Sequence, residues 1–126
     1  MDLVNLEVLS KDADRIIEAL SSGNMVIARS GNEFLYVFDR DGEYLLFRHT
    51  PGFPGGGRKS FPKNEKGDAI VRNLAKIADR LYLAEFDGSM NIFGVMQSAE
   101  EGILSIFPGD DRSLDEDIEF IIPKKQ

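Results

Sequence analysis

The sequence contains no cysteine and no tryptophan, and it has a single histidine, His49. The absence of cysteine excludes disulfides, thiolate metal sites and a cysteine nucleophile. No apolar run approaches the length of about 18 residues that a membrane-spanning helix requires. The first residues lack the basic and apolar segments of a signal peptide. We therefore expect a cytoplasmic protein that does not enter a membrane.

The 126 residues are 42% apolar, which is enough to form one compact core. We expect a single α+β domain that spans residues 1–126. The net charge of −7 is unevenly distributed along the chain. Residues 99–119 hold eight carboxylates and one arginine, whereas residues 48–80 hold eight cations and three carboxylates. Most charge runs only solvate a surface, but one of these segments could also steer a partner of opposite charge.

The first part of the chain predicts a strand, a helix and three further strands. Alternating apolar residues indicate a strand over Leu3–Leu9. Helical spacing of apolar residues follows over 13–20, with Ser10 or Asp12 as the cap and Gly23 at the end. The three strands then form an antiparallel meander, because Asp-Gly between apolar runs is typical of a hairpin. They are Met25–Arg29, Glu33–Asp39 and Glu43–His49.

The second part repeats this order after a flexible Pro/Gly loop at 49–67. An apolar stripe predicts a helix over Asp68–Leu83, with Ile77 central to the core. Three more strands are predicted over Met90–Met96, Gly102–Phe107 and Asp117–Ile122. The fold class is therefore α+β: an antiparallel sheet of six to seven strands with two amphipathic helices. The element order is β-α-βββ-loop-α-βββ, which is compatible with an αβββ duplication.

The Pro/Gly loop has part of the pattern of a phosphate-binding P-loop. Gly52 and Gly57 have the right separation, but Arg58 stands where that motif requires lysine. Proline at Pro62 disfavours a helix directly after the motif, so no helix N-terminus would face a phosphate. These departures argue against a P-loop. Two interpretations remain, a disordered connection and a cationic binding loop with embedded aromatic residues.

The sequence offers no convincing catalytic constellation. His49 could orient a nucleophile such as Ser60 or Thr50, but this would require a third group that the sequence does not place. The adjacent carboxylates, including Glu100/Glu101, fall in predicted loops without an apolar wall to raise a pKa. One histidine without spaced partners does not make a metal site. We therefore expect a protein that is not an enzyme and that has no cofactor and no bound metal.

Two functional hypotheses follow. The first is a non-catalytic protein-binding module, such as an inhibitor or immunity-type protein, whose acidic surface neutralises a basic partner. Its candidate residues are Asp110, Asp111, Asp115, Glu116 and Asp117.

The alternative is an accessory or regulatory domain that binds a peptide or small anionic ligand through the 49–67 loop. Its candidate residues are His49, Phe53, Arg58, Lys59, Phe61 and Lys63. We expect the partner to be another protein, of basic character. We do not expect a nucleic acid as the partner, because the chain is acidic and has no nucleic-acid-binding motif.

Overall fold

A computed structural model describes residues 3–52, 56–85, 91–106 and 119–123. Those residues form seven strands and three helices. The strands are β1 Leu3–Leu9, β2 Met25–Ser30, β3 Glu33–Arg40, β4 Glu43–His49, β5 Gly57–Pro62, β6 Arg80–Glu85 and β7 Glu119–Pro123. The helices are α1 Ala13–Ser21, α2 Glu65–Ile77 and α3 Ile92–Ile106. None of the described helices is long and apolar enough to span a membrane.

All seven strands belong to one antiparallel sheet, in the order β5-β4-β3-β2-β6-β1-β7. The α+β class and the predicted number of strands are therefore confirmed. Strands β2 to β4 are sequential neighbours, as the predicted meander requires, and β5, which was not predicted, continues it. Strand β6 pairs with both β1 and β2. Asp41 and Gly42 connect β3 to β4 with φ of 54° and 80°, the left-handed conformation of a tight hairpin turn.

The sheet separates two apolar clusters. On one face, α3 packs through Val95, Ala99 and Ile103 against alternate residues of the central strands, such as Tyr36. On the other face, α1 and α2 cover the intervening strand residues, which point the opposite way, such as Val37. Because successive strand residues point to opposite faces, the strands supply side chains to both clusters. The sheet is therefore covered on both sides by helices.

The helix predicted over Asp68–Leu83 is wrong in its second half. Helix α2 ends at Ile77, and strand β6 begins at Arg80. The Asp79 N–H donates to the Arg29 carbonyl (2.8 Å), and the Asp79 carboxylate accepts the Gly31 N–H (2.7 Å). These bonds join the chain to β2 at the point where a continued helix would have left the sheet.

The predicted position of Ile77 in the core is also wrong. The Ile77 side chain is 48% exposed, whereas Val71 and Leu74 are 2% and 4% exposed. The buried face of α2 instead follows Gly67, Val71 and Leu74. The predicted stripe therefore has the correct period but includes two residues of the solvent-facing side, Ile77 and Ile70, the latter 40% exposed.

Helix α3 replaces two of the predicted strands, Met90–Met96 and Gly102–Phe107. Its buried residues Val95, Ala99 and Ile103 are four apart, which is helical spacing. The element order is thus β-α-ββββ-α-β-α-β, and the proposed αβββ duplication is not present in the described residues. The β-branched and aromatic residues of this segment favoured strands locally, but burial against the sheet selects a helix.

The predicted flexible loop at 49–67 contains regular structure. Residues 57–62 form β5, which pairs with β4, and α2 begins at Glu65. Asn64 caps α2 by accepting the Gly67 N–H (3.0 Å). A strand rather than a helix therefore follows Gly57, in agreement with the argument against a P-loop.

Candidate functional site

A cleft of about 600 Å³ opens between the N-terminal half of α3 and the β3-β4-β5 side of the sheet. Helix α3 makes its main strand contacts with β1 and β7, and the cleft lies toward the other end of the sheet, beside β4 and β5. The described residues that line it are Tyr36, Phe47, Arg48, His49, Gly56, Gly57, Arg58, Phe93, Met96, Gln97, Glu100 and Glu101. The volume lies within the usual range of small-molecule sites, about 300–1,000 Å³.

The apolar wall of the cleft is built from aromatic rings. Phe47 on β4 stacks on Phe38 with ring centroids 5.8 Å apart, and Phe93 meets Phe47 edge to face at 5.6 Å. Phe93 lies in the first turn of α3, where its N–H donates to the Asn91 side chain (2.9 Å). Phe93 is nevertheless 62% exposed. A large aromatic surface therefore remains open at the mouth of the cleft.

A carboxylate lies at the inner end of the cleft. The hydroxyl of the buried Tyr36 donates to Glu100 Oε2 (2.6 Å), and His49 Nδ1 lies 2.8 Å from the same oxygen. The Glu100 side chain is 13% exposed. Burial raises the pKa of Tyr36 above its usual range, and the hydrogen bond to Glu100 and its negative charge act in the same direction. The phenol therefore stays protonated and holds the carboxylate in place.

Arg58 lies at the rim of the cleft, whereas Arg48 lies between Phe47 and His49 on β4, so its side chain extends to the opposite face of the sheet. The Arg58 guanidinium lies over the Phe47 ring, 5.8 Å from its centroid. Arg48 is anchored by Glu33, with Nε and Oε2 3.1 Å apart. A side chain at Gly56 would overlap the Arg48 carbonyl oxygen, so glycine permits the close approach of the chain beside this rim. An anionic group could therefore meet Arg58 while an apolar body contacts the aromatic wall.

The structure brings together only part of the residues predicted from the sequence. His49 and Arg58 line the cleft. Lys59 and Phe61 pair with Leu46 and Tyr44, so they lie on the opposite face of β5 from Arg58. Lys63 forms an ion pair with Asp39 and lies near the Tyr44 ring.

The remaining predicted residues lie outside the described part of the chain. They are Phe53 and the acidic candidates Asp110, Asp111, Asp115, Glu116 and Asp117. The hypothesis of an acidic inhibitor surface therefore stays a prediction from the sequence.

Sequence reasoning missed Tyr36, Phe93 and Glu100 as members of one site. Glu100 lies on α3 beside an apolar cluster, so its assignment to a predicted loop without an apolar wall is wrong. Spacing along α3 would have placed Phe93, Gln97 and Glu100 on one face, had the helix been recognised. Glu100 is the third group that the sequence could not place beside His49, but neither Ser60 nor Thr50 is among the described residues that line the cleft.

Comparisons with models of known protein families, with curated proteins and with solved structures find no match. The function of the cleft must therefore be inferred from its own geometry.

Proposed function

We propose that this chain is a non-catalytic binding module whose cleft takes a small organic anion with a flat apolar body. The observation that carries the proposal is the open Phe93 ring beside Phe47 and the Arg58 guanidinium. Ligand sites usually combine apolar walls with a few placed polar groups, and this cleft has both.

The charges divide the cleft into two ends. Glu100 already accepts from Tyr36 and lies within hydrogen-bond distance of His49, so its carboxylate is engaged at the inner end. Arg58 forms no ion pair with a described residue, so its charge is available to a ligand at the outer end. We therefore expect the anionic group at the rim and the apolar body between the rings.

A fluorescent anion tests this proposal. We expect 8-anilinonaphthalene-1-sulfonate to bind the folded protein saturably, because it joins an aromatic body to one negative charge. Phe93→Ala and Arg58→Gln should each weaken its binding about tenfold, which corresponds to about 1.4 kcal/mol. Fluorescence titration measures the dissociation constant of the dye for each variant, and thermal melting confirms that the variants remain folded.

Two controls make the result specific. Lys59→Ala removes a neighbouring cation on the other face of β5 and should leave dye binding unchanged. The uncharged analogue N-phenyl-1-naphthylamine should respond to Phe93→Ala and not to Arg58→Gln. Dye binding that is unaffected by both cleft variants would contradict the proposal.

A further inference from the structure

Among the strands that the structure describes, β5 is at the edge of the sheet, with β4 as its neighbour on one side. Its first four residues, Gly57 to Ser60, are all exposed. An exposed edge strand presents backbone N–H and C=O groups that can pair with another chain. The outer side of β5 is therefore a candidate for strand addition.

The β4–β5 register shows which groups point outward. The Lys63 N–H donates to the Gly42 carbonyl (3.1 Å), and this pair continues the register of the two strands. Because hydrogen-bonded pairs alternate in an antiparallel ladder, residues 57, 59 and 61 also bond toward β4. The N–H and C=O groups of Arg58 and Ser60 then point away from the sheet. Pro62, which has no N–H, also occupies an outward position, where no ladder bond is lost.

The side chains of β5 indicate the charge of a partner. Arg58 points to the α3 face and Lys59 to the α2 face, and neither forms an ion pair with a described residue. An added strand would therefore meet a cation on each of its two faces. Carboxylates directly opposite would be favourable, whereas a second copy of β5 would place like charges together.

We propose that β5 accepts an extended acidic peptide as an eighth strand. The peptide backbone pairs with the outward groups of Arg58 and Ser60, and neighbouring acidic side chains of the peptide meet Arg58 and Lys59. This is the strand-addition mode of peptide recognition, in which the backbone supplies affinity and side chains supply specificity. The interaction goes beyond the cleft, because neither Lys59 nor Ser60 lines it.

The test uses a short fluorescent peptide of repeated valine-glutamate-glutamate triplets and measures its binding by anisotropy. Ser60→Pro removes one outward N–H and leaves the bonds to β4, so we expect it to weaken binding about tenfold or more. Ser60→Ala keeps the N–H and should bind as the natural protein does. Lys59→Ala should weaken binding, and the matching valine-lysine-lysine peptide should not bind.

A second measurement keeps the proposal testable if Ser60→Pro fails to fold. In the natural protein, the added peptide should slow hydrogen exchange of the Arg58 and Ser60 amides and change that of Lys59 little. Unchanged exchange at Ser60, or equal binding by folded Ser60→Pro and Ser60→Ala, would overturn the proposal.

Two other outcomes would assign β5 differently. Self-association in sedimentation that Ser60→Pro abolishes would make a second copy the occupant and overturn the peptide proposal. A single-stranded oligonucleotide that binds in place of the peptide, regardless of Ser60→Pro, would also overturn it. The dye titration is independent of these results, because Phe93→Ala should affect the dye and Ser60→Pro the peptide.

Discussion

Two buried tyrosines each donate a hydroxyl hydrogen bond to a carboxylate, one on each face of the sheet. Tyr36 donates to Glu100 on α3, and Tyr44 donates to Asp68 on α2 (both 2.6 Å). Each bond fixes a helix to the sheet by satisfying a buried polar atom, which would otherwise be destabilising. In both cases the phenol must keep its proton to donate. We therefore expect the free energy of unfolding to decrease at alkaline pH, where the phenols lose their protons.

The Tyr44→Phe variant tests this link. Burial, followed by the hydrogen bond to Asp68, raises the pKa of Tyr44 to about 12. An unfolded tyrosine titrates near pH 10, so between about pH 10 and 12 the unfolded state holds fewer protons. The Tyr44 contribution is complete below pH 10 and decreases through this window. The free energy of unfolding, measured with urea, should decrease less steeply with pH in Tyr44→Phe than in the natural protein. The difference in slope should be up to about 1.4 kcal/mol per pH unit. Equal slopes in the two proteins would contradict this account.

At the scale of elements, two helical glycines differ in the space available for a side chain. A Cβ at Gly67 in α2 would overlap the Pro62 carbonyl oxygen, whereas one at Gly94 in α3 would meet, among the described residues, only Asn91 Cβ at 3.9 Å. Alanine is the better helix former by about 1 kcal/mol, so propensity alone predicts that both substitutions stabilise. The close approach of the α2 start to the end of β5 reverses this expectation for Gly67.

We therefore expect Gly67→Ala to destabilise the protein by about 1–3 kcal/mol, as overpacking does. Gly94→Ala should stabilise it by up to about 1 kcal/mol. Urea denaturation of the two variants measures both changes, and each variant is the control for the other. A stabilised Gly67→Ala would mean that α2 does not approach Pro62 as the structure shows.

The sequence predicts elements well where their signals are local. The Asp-Gly turn and the alternating residues of β3 and β4 lie within a few positions of one another, so the meander is predicted correctly. The same reasoning fails at β6, where Leu81 to Ala84 form a continuous apolar run that extends the α2 pattern. Its strand conformation depends on β1 and β2, which pair with its two edges. Such long-range pairing is not visible in a short window of sequence.

In the candidate site, too, the residues with local signals are predicted and those that depend on long-range contacts are not. His49 and Arg58 belong to one local segment, and their charge and position attract notice in the sequence. Glu100 is 51 residues from His49 and 64 from Tyr36, and its role depends on where α3 packs. No local spacing predicts that contact, because it follows from the tertiary arrangement.

At the scale of the whole molecule, the sheet combines a local and a non-local part. Strands β2 to β5 pair with their sequence neighbours and need only short connections. Strand β6 instead inserts between β1 and β2, which requires a long loop to close before the pairs form. Because closing long loops is unfavourable before contacts compensate it, local hairpins have an advantage early in folding. We therefore expect the meander to form before β6 is inserted.

A pair of matched substitutions tests this order. Leu45 on β4 and Leu81 on β6 are 6% and 0% exposed, so each Leu→Ala change should destabilise the protein by about 2–5 kcal/mol. Leu45→Ala should act mainly by slowing folding, because its contacts form in the transition state, whereas Leu81→Ala should mainly accelerate unfolding. Folding and unfolding rates across a range of urea concentrations separate the two effects. A φ-value for Leu81 equal to or above that for Leu45 would mean that β6 is already inserted when the meander forms, and the central pairing rather than the hairpins would then nucleate the sheet.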